Sequence, residues 1–207
     1  MKRRDGFLTL SDGMNILAHL ILSGDNADVR FGNFIGDGVK GRNFSGYPND
    51  VQRGISLHRL IDHLSETLQP ALESRRILAK ELDIFAPIAL DIVYDHILAS
   101  HWNNWHQEQL REFTSMCYNE LGLRVQEMPK GQAFMLPYMI KGDWLYNYQH
   151  IEGMYKALLG LGKRISSEPE LERAVDIFLR EKQTFIDHFW DFYPQMMNLC
   201  AEALNQK

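Results

Sequence analysis

The chain of 207 residues has few of the features that announce a class at once. Cysteine occurs only twice, as Cys117 and Cys200, far apart in sequence. A disulfide framework is therefore excluded, and the composition suits a reducing cytoplasm. Valine occurs six times and threonine four, and clean alternation of apolar and polar residues is rare, which argues against a β fold. Long apolar runs are missing. The longest, near Ile16 to Leu22, is broken by His19, and nothing is long enough to span a membrane. The N-terminal Met1 to Gly13 begins with Lys2, Arg3 and Arg4 but has no extended apolar stretch and no small-residue cleavage site, so it does not read as a secretory signal. Positive charge is also short. With 22 Lys and Arg against 27 Asp and Glu, the formal net charge is −5, a poor basis for binding nucleic acid through its phosphates.

What is present favours helix and a sizeable core. Hydrophobic residues make up 45% of the chain and charged residues 24%, a balance typical of a globular domain that needs neither disulfides nor a structural metal to fold. Leu, Met, Ala, Glu and Gln are plentiful, so the expected class is all-α, a single-domain helical bundle. Helices are expected over Asn15 to Leu22 and Ala27 to Lys40, with Ser23-Gly24-Asp25-Asn26 between them. A third starts at Asn49 or Asp50 as N-cap, a fourth at Pro70, and a long apolar one near Asp83 and Pro87 runs to about Trp102. Further helices are expected over Glu108 to Gln126, Gly131 to Lys141 and His150 to Arg164. Ser167-Glu168-Pro169-Glu170 has the form of a capping box for a last helix that runs toward Ala203, with a bend at Pro194.

The chemistry-bearing residues gather in the first half. His58 and Asp62 are four apart on one expected helix and share a face; Asp91 and Asp95 repeat that spacing on another, with His96 next to them. Carboxylates set among Ile92, Val93, Ile97 and Leu98 are costly to bury without a cation or hydrogen bonds. Together with His19 and Asp37 they make a mixed His and Asp set suited to Mn²⁺, Mg²⁺ or Fe²⁺, and less distinctively to Zn²⁺. A single His-Asp pair of this kind is more often a solvated helix face than a ligand pair; two pairs with two further groups tip the reading toward metal. The Glu-x-x-His signature of di-iron bundles, His-Glu-x-x-His, a P-loop and a Gly-x-Ser-x-Gly elbow are all missing. Cys117 reads as a small core residue, and the aromatic stretch from Phe189 to Met197 as core. Lys40, Arg42, Arg53, Arg59, Arg75, Arg76 and Lys80 follow the same region and could steer an acidic protein or a phosphate toward it.

Several segments resemble a known family. Met14-Asn15-Ile16-Leu17-Ala18-His19-Leu20 is similar to the start of the bacterial acyl carrier protein phosphodiesterases. Gly32-Asn33-Phe34-Ile35-Gly36-Asp37 with Val39-Lys40-Gly41, then Gly54-Ile55-Ser56-Leu57-His58-Arg59-Leu60-Ile61-Asp62, resemble their second and third motifs. Ala86 to Leu98 with His101-Trp102 resembles the fourth, and Phe189 to Met197 the C-terminal segment. The likeness covers about residues 14 to 200, loosely between Gln107 and Glu181. It implies an HD-type helical phosphohydrolase domain over residues 14–207, preceded by an extension of residues 1–13, with Met14 as the expected initiator. It implies a Mn²⁺-dependent enzyme that removes 4′-phosphopantetheine from holo acyl carrier protein, with Mg²⁺ or Fe²⁺ as alternative ions. It implies a metal site drawn from His19, Asp37, His58, Asp62, Asp91, Asp95 and His96, with Asp37, His58, Asp62, Asp91 and Asp95 as the expected ligands; His19 and His96 are the candidates for the general acid, and Arg59 for neutralising phosphoryl oxygens. Gly38 stands where a Phe is expected, and His63 where an apolar residue is usual. The partner implied is the carrier protein, with no nucleic acid and no membrane, and the place is the cytoplasm. Two rival readings remain: a phosphohydrolase for nucleotides or other small phosphoesters, and a helical module that binds the carrier without cleaving it.

Overall fold

The computed structural model describes residues 15–165 and 167–206; the expected extension of residues 1–13 lies outside them. Helices account for nearly all the regular structure, and no strand occurs among the described residues, as the composition predicts. The chain forms α1 (Ile16–Leu22), α2 (Ala27–Ile35), α3 (Asn49–Thr67), α4 (Gln69–Leu82) and α5 (Ala86–Ser100). It continues through α6 (Leu110–Gly122), α7 (Lys130–Gly142), the short α8 (Trp144–Asn147), α9 (Ile151–Gly162), α10 (Arg173–Arg180) and α11 (Lys182–Asn205).

α5 is the axis. All its residues except Pro87, Asp91 and Ser100 are buried, so its near-continuous apolar sequence reflects packing on every side rather than one amphipathic face. α1, α4, α9, α10 and α11 pack against it. The aromatic stretch of α11 joins this core: Tyr94 of α5 meets Phe189 edge-on at 5.3 Å, and Phe189 stacks on Tyr193 at 5.2 Å. Cys117 and Cys200 are buried and free, and burial pushes both thiols up to about 12, so neither is a reactive thiolate.

The second layer, α2 on α3, is the most extensive helix pair and is set by two glycines. A Cβ on Gly32 would stand 2.1 Å from the Val51 carbonyl oxygen, and one on Gly54 would stand 2.1 Å from that of Val29. Each helix thus lays bare backbone against the other, an approach no larger residue permits. α2 then ends at Ile35 rather than Lys40, passing into a 3₁₀ turn over Gly36–Gly38. Asn49 is already helical, with Pro48 at the N-cap, so it caps nothing; Asn26 does cap α2, accepting from the Asp28 and Val29 amides at 2.9 and 3.2 Å.

The largest departure from expectation is at Ser167. No capping box forms there. Glu168 would have to be the first helical residue, but it precedes Pro169, whose ring disfavours helical geometry in its neighbour, and it lies at φ +46°. The helix begins instead at Arg173, and Glu181 divides what was expected as one helix into α10 and α11. α11 runs on through Pro194.

The glycine contact makes a direct prediction. Gly54→Ala should cost about 1–3 kcal/mol or more by overpacking backbone that cannot move aside, lowering Tm by at least about 2 °C. Gly122→Ala, whose added Cβ meets nothing within 4 Å, should leave Tm unchanged or slightly raised. Thermal unfolding followed by circular dichroism compares the two; equal melting temperatures would show that the two helices can separate freely.

Candidate metal centre

The close pairing of α2 and α3 brings together residues that are distant in sequence. His19 comes from α1, Asp37 from the turn after α2, and His58 and Asp62 from successive turns of α3. His58 Nε2 lies 3.2 Å from Asp37 Oδ1 and 3.3 Å from Asp62 Oδ2, and His19 Nε2 lies 3.3 Å from Asp62 Oδ1. The two imidazoles sit 4.3 Å apart between centroids. Gly36 makes room for them: a Cβ there would fall 2.2 Å from His58 Cγ. The expected i,i+4 pair of His58 and Asp62 therefore shares a face, and that face points at His19 and Asp37.

Asn33 decides the protonation of His19. Its amide nitrogen donates to the His19 carbonyl at 2.7 Å and to Ser23 Oγ at 2.9 Å, so its oxygen is the atom that meets His19 Nδ1 at 2.6 Å. Nδ1 must therefore carry a proton, and in the neutral ring the Nε2 lone pair faces the cleft. That nitrogen is buried and has no hydrogen-bond donor, and His58 Nδ1 is buried without a partner as well. Burial pushes the Asp62 carboxyl up, but its contact with His19 and the positive charge of His19 and His58 when protonated together outweigh this and hold it below the ordinary carboxylate range. With a proton on Nε2, His19 and Asp62 form an ion pair across 3.3 Å; in the neutral ring the Nε2 lone pair faces the carboxylate instead, and the two are then a pair of donors suited to a shared divalent cation. Ligand atoms of His19, His58 and Asp62 all lie within 4.8 Å of one another. By orphaned nitrogen and by donor chemistry, these residues fit a divalent ion.

The other expected residues are placed elsewhere. Asp95 is wholly buried, and its two carboxylate oxygens accept from the Leu17 and Ala18 amides at 2.9 and 3.0 Å. It caps α1 from 78 residues away, in place of Asn15, whose side chain makes no cap. Burial pushes its carboxyl well above the ordinary range against the pull of those amides, and the Asp91 charge adds to the rise. Asp91 is half-buried on the preceding turn of α5 and is not among the converging ligands. His96 donates from Nδ1 to the Tyr148 carbonyl at 2.7 Å and meets Phe178 edge-on; burial brings it down to about 4, so it is neutral at pH 7 and its one N–H is committed to that carbonyl. Arg59 donates to the Val39 and Gly41 carbonyls at 3.2 and 2.6 Å and lies over Phe44, fastening the loop after Asp37. His63 is exposed.

Sequence reasoning missed three contributors. Asn33 lies in the Gly32 to Asp37 segment, and its one usable sign in sequence is a polar side chain four positions before Asp37 on an otherwise apolar stretch. Gln132 and Met135 of α7 line the cleft with Ile16, Phe34, His19, Asp37 and His58, leaving a space of about 20 Å³. That is room for roughly one water or ion. At Gly38, where a Phe is expected, a Cβ would strike Gln132 Oε1 at 2.4 Å, so α7 fills the space a larger residue would take.

The family model described as acyl carrier protein phosphodiesterase matches residues 14–196. An acyl carrier protein phosphodiesterase of Enterobacter sp. (strain 638) is 32% identical over 189 residues, covering 89% of this chain and 96% of the relative. Those of Escherichia coli O6:H1 and Salmonella paratyphi A are 31% and 30% identical over 192 residues, covering 91% of this chain and 98% of each relative. No solved structure matches the chain.

The cap by Asp95 separates scaffold from ligand experimentally. Asp95→Ala strands two buried amides and should cost about 3 kcal/mol, a fall in Tm of roughly 6–12 °C. Asp95→Asn keeps one acceptor and should lose less. A thermal melt of each variant measures this, and an Asp95→Ala protein as stable as the parent would remove the capping role.

Proposed function

The chain belongs to the acyl carrier protein phosphodiesterase family, and from that premise we propose that the centre of His19, Asp37, His58 and Asp62 serves hydrolysis of the phosphodiester joining 4′-phosphopantetheine to the serine of holo acyl carrier protein. The observation that carries this reading is the convergence of two imidazole Nε2 atoms and two carboxylates in a single cleft. His19, His58 and Asp62 would hold a divalent ion, with Asp37 beside His58 as the second carboxylate; Mn²⁺ fits this donor set, as do Mg²⁺ and Fe²⁺. Such an ion supplies an activated water and offsets charge on the phosphoryl oxygens. Asn33 keeps the His19 lone pair turned into the cleft, which makes His19 a ligand in this reading rather than the proton donor. Arg59 acts through the loop it fastens and not on the phosphate. The proposed place of action is the cytoplasm, and the HD-type relationship is part of the same reading.

Mass spectrometry of holo carrier protein incubated with the enzyme and Mn²⁺ tests it. The carrier should lose 4′-phosphopantetheine, EDTA should prevent the loss, and His58→Ala or Asp62→Asn should lower kcat/KM by at least about 100-fold with little change in helicity. Turnover of free small diesters but not of the carrier would favour the small-phosphoester reading. A carrier complex that forms unchanged in EDTA, without turnover, would favour the binding module.

The docking face is proposed on α7. Its inner side lines the cleft, while Phe134 and Tyr138 are exposed on it, 67% and 52% accessible, with their rings 5.3 Å apart. Lys130 and Lys141 lie at its two ends, and the helix contains no acidic residue. An acidic protein surface suits this stripe better than the Arg75 region of α4 expected from sequence. Phe134→Ala and Lys141→Glu should each raise KM for the carrier several-fold with kcat nearly unchanged, and Arg75→Glu should do less. A KM sensitive to Arg75→Glu alone would move the docking face to α4.

A further inference from the structure

A second cavity, of about 330 Å³, opens between α8 and α9 and shares no wall residue with the metal centre. Its shape follows from two glycines of α9. A Cβ on Gly153 would stand 1.9 Å from the Asn147 carbonyl oxygen, so the backbones of α8 and α9 touch at that end. At Gly160 a Cβ would meet nothing within 4 Å, and there the cavity is open. Trp144, Ala157 and Leu161 give it apolar walls.

The charge in this cavity is unbalanced. Glu152, its only carboxylate, is paired with Lys156 at 2.7 Å. Arg164, just beyond α9, is half-buried, with its guanidinium 5.3 Å from the centre of the Trp144 ring. Among the described residues it has no carboxylate partner and no hydrogen-bond acceptor. Burial lowers its pKa, the mark of a cation that has lost water without gaining a counter-charge. Such a cation is ordinarily paired when removed from water, and a planar guanidinium over an aromatic wall is suited to a flat or apolar molecule with an anionic head. The volume lies within the range of small-molecule sites.

We propose that the cavity between α8 and α9 binds a small organic anion, its phosphate or carboxylate head on Arg164 and its apolar or planar body against Trp144. The site is independent of the phosphodiesterase reading. Phenyl phosphate and benzoate are suitable probes for the two kinds of head, with benzyl alcohol as the neutral counterpart. In ¹H–¹⁵N spectra of the full chain, the Trp144 indole signal, assigned through Trp144→Phe, should shift saturably with at least one of the two anions, and the stronger response identifies the preferred head. Arg164→Gln should weaken the binding at least tenfold. Gly160→Leu, whose side chain enters open space, should abolish it while leaving the rest of the spectrum unchanged; this second variant tests the site even where Arg164→Gln fails to fold. Absence of a saturable Trp144 shift with both anions at about 10 mM overturns the proposal. So does equal binding of benzyl alcohol, or unaltered affinity in a folded Arg164→Gln or Gly160→Leu protein, which would leave Arg164 as a surface cation resting on Trp144.

Discussion

The backbone contact between α2 and α3 is the constraint on which the candidate metal centre depends. Two helices separated by ordinary side chains run with their axes roughly 8–10 Å apart. Gly32 and Gly54 remove the side chains at the crossing, and the carbonyls of Val29 and Val51 occupy the space in their place. Glycine inside a helix costs about 1 kcal/mol relative to alanine, so two of them weaken the isolated helices noticeably. Their compensation is the dense apolar contact that the close approach allows, with Val29, Val51 and Ile55 each nearly or wholly inaccessible. The chemical consequence lies one turn further along. Asp37, leaving the end of α2, arrives within 3.2 Å of a histidine on α3, and Gly36 leaves that ring its volume.

A second long-range device aims His19. α1 has only seven residues, too few to be stable alone. Its first turn is held by Asp95 from the central helix, and its last turn by Asn33 and Ser23, which bond the His19 carbonyl. The helix is thus pinned at both ends by groups that also belong to the polar interior. Asn33 does double duty, since the same side chain that holds the backbone also fixes the ring tautomer. This arrangement explains why conspicuous acidic residues surround the candidate centre without all converging on it: some face the cleft, and Asp95 keeps α1 in place.

Those two roles could not be told apart in sequence. His58 with Asp62 and Asp91 with Asp95 have the same i,i+4 spacing, which says that two side chains share a helix face and says nothing about what the face meets. α3 has one apolar side and one polar side, so its His-Asp pair had a direction that could be read. α5 is buried all round, and a polar residue on it can face any neighbour; Asp95 turned to α1 and His96 to Tyr148. The helical class, the core role of Phe189 to Tyr193 and the inert Cys117 were legible because they rest on composition and periodicity. The capping box at Ser167 misled because its pattern ignores Pro169, and the contribution of α7 was invisible because no spacing rule links Gln132 to Asp37 across 95 positions.

α7 connects the buried chemistry to recognition. The cleft holds roughly one small ion or water, far too little for a phosphodiester with its two substituents. α1, α2 and α3 are locked together by the glycine crossing and the Asp95 cap, so the compliant wall must be the one built by α7. That helix buries only Leu136 and Met139 completely and contains Pro137, which removes one backbone hydrogen bond from its interior. Elements with few buried apolar contacts are the ones that open at low cost. In the proposed reading, the surface on which the carrier docks is therefore the outer side of the same helix that closes the cleft. Binding energy from Phe134 and Tyr138 can then be spent on displacing Gln132 and Met135 from the inner side. A free small diester has no carrier surface to engage that outer stripe, and this gives a physical reason for an enzyme with so small a cleft to demand a protein as its substrate.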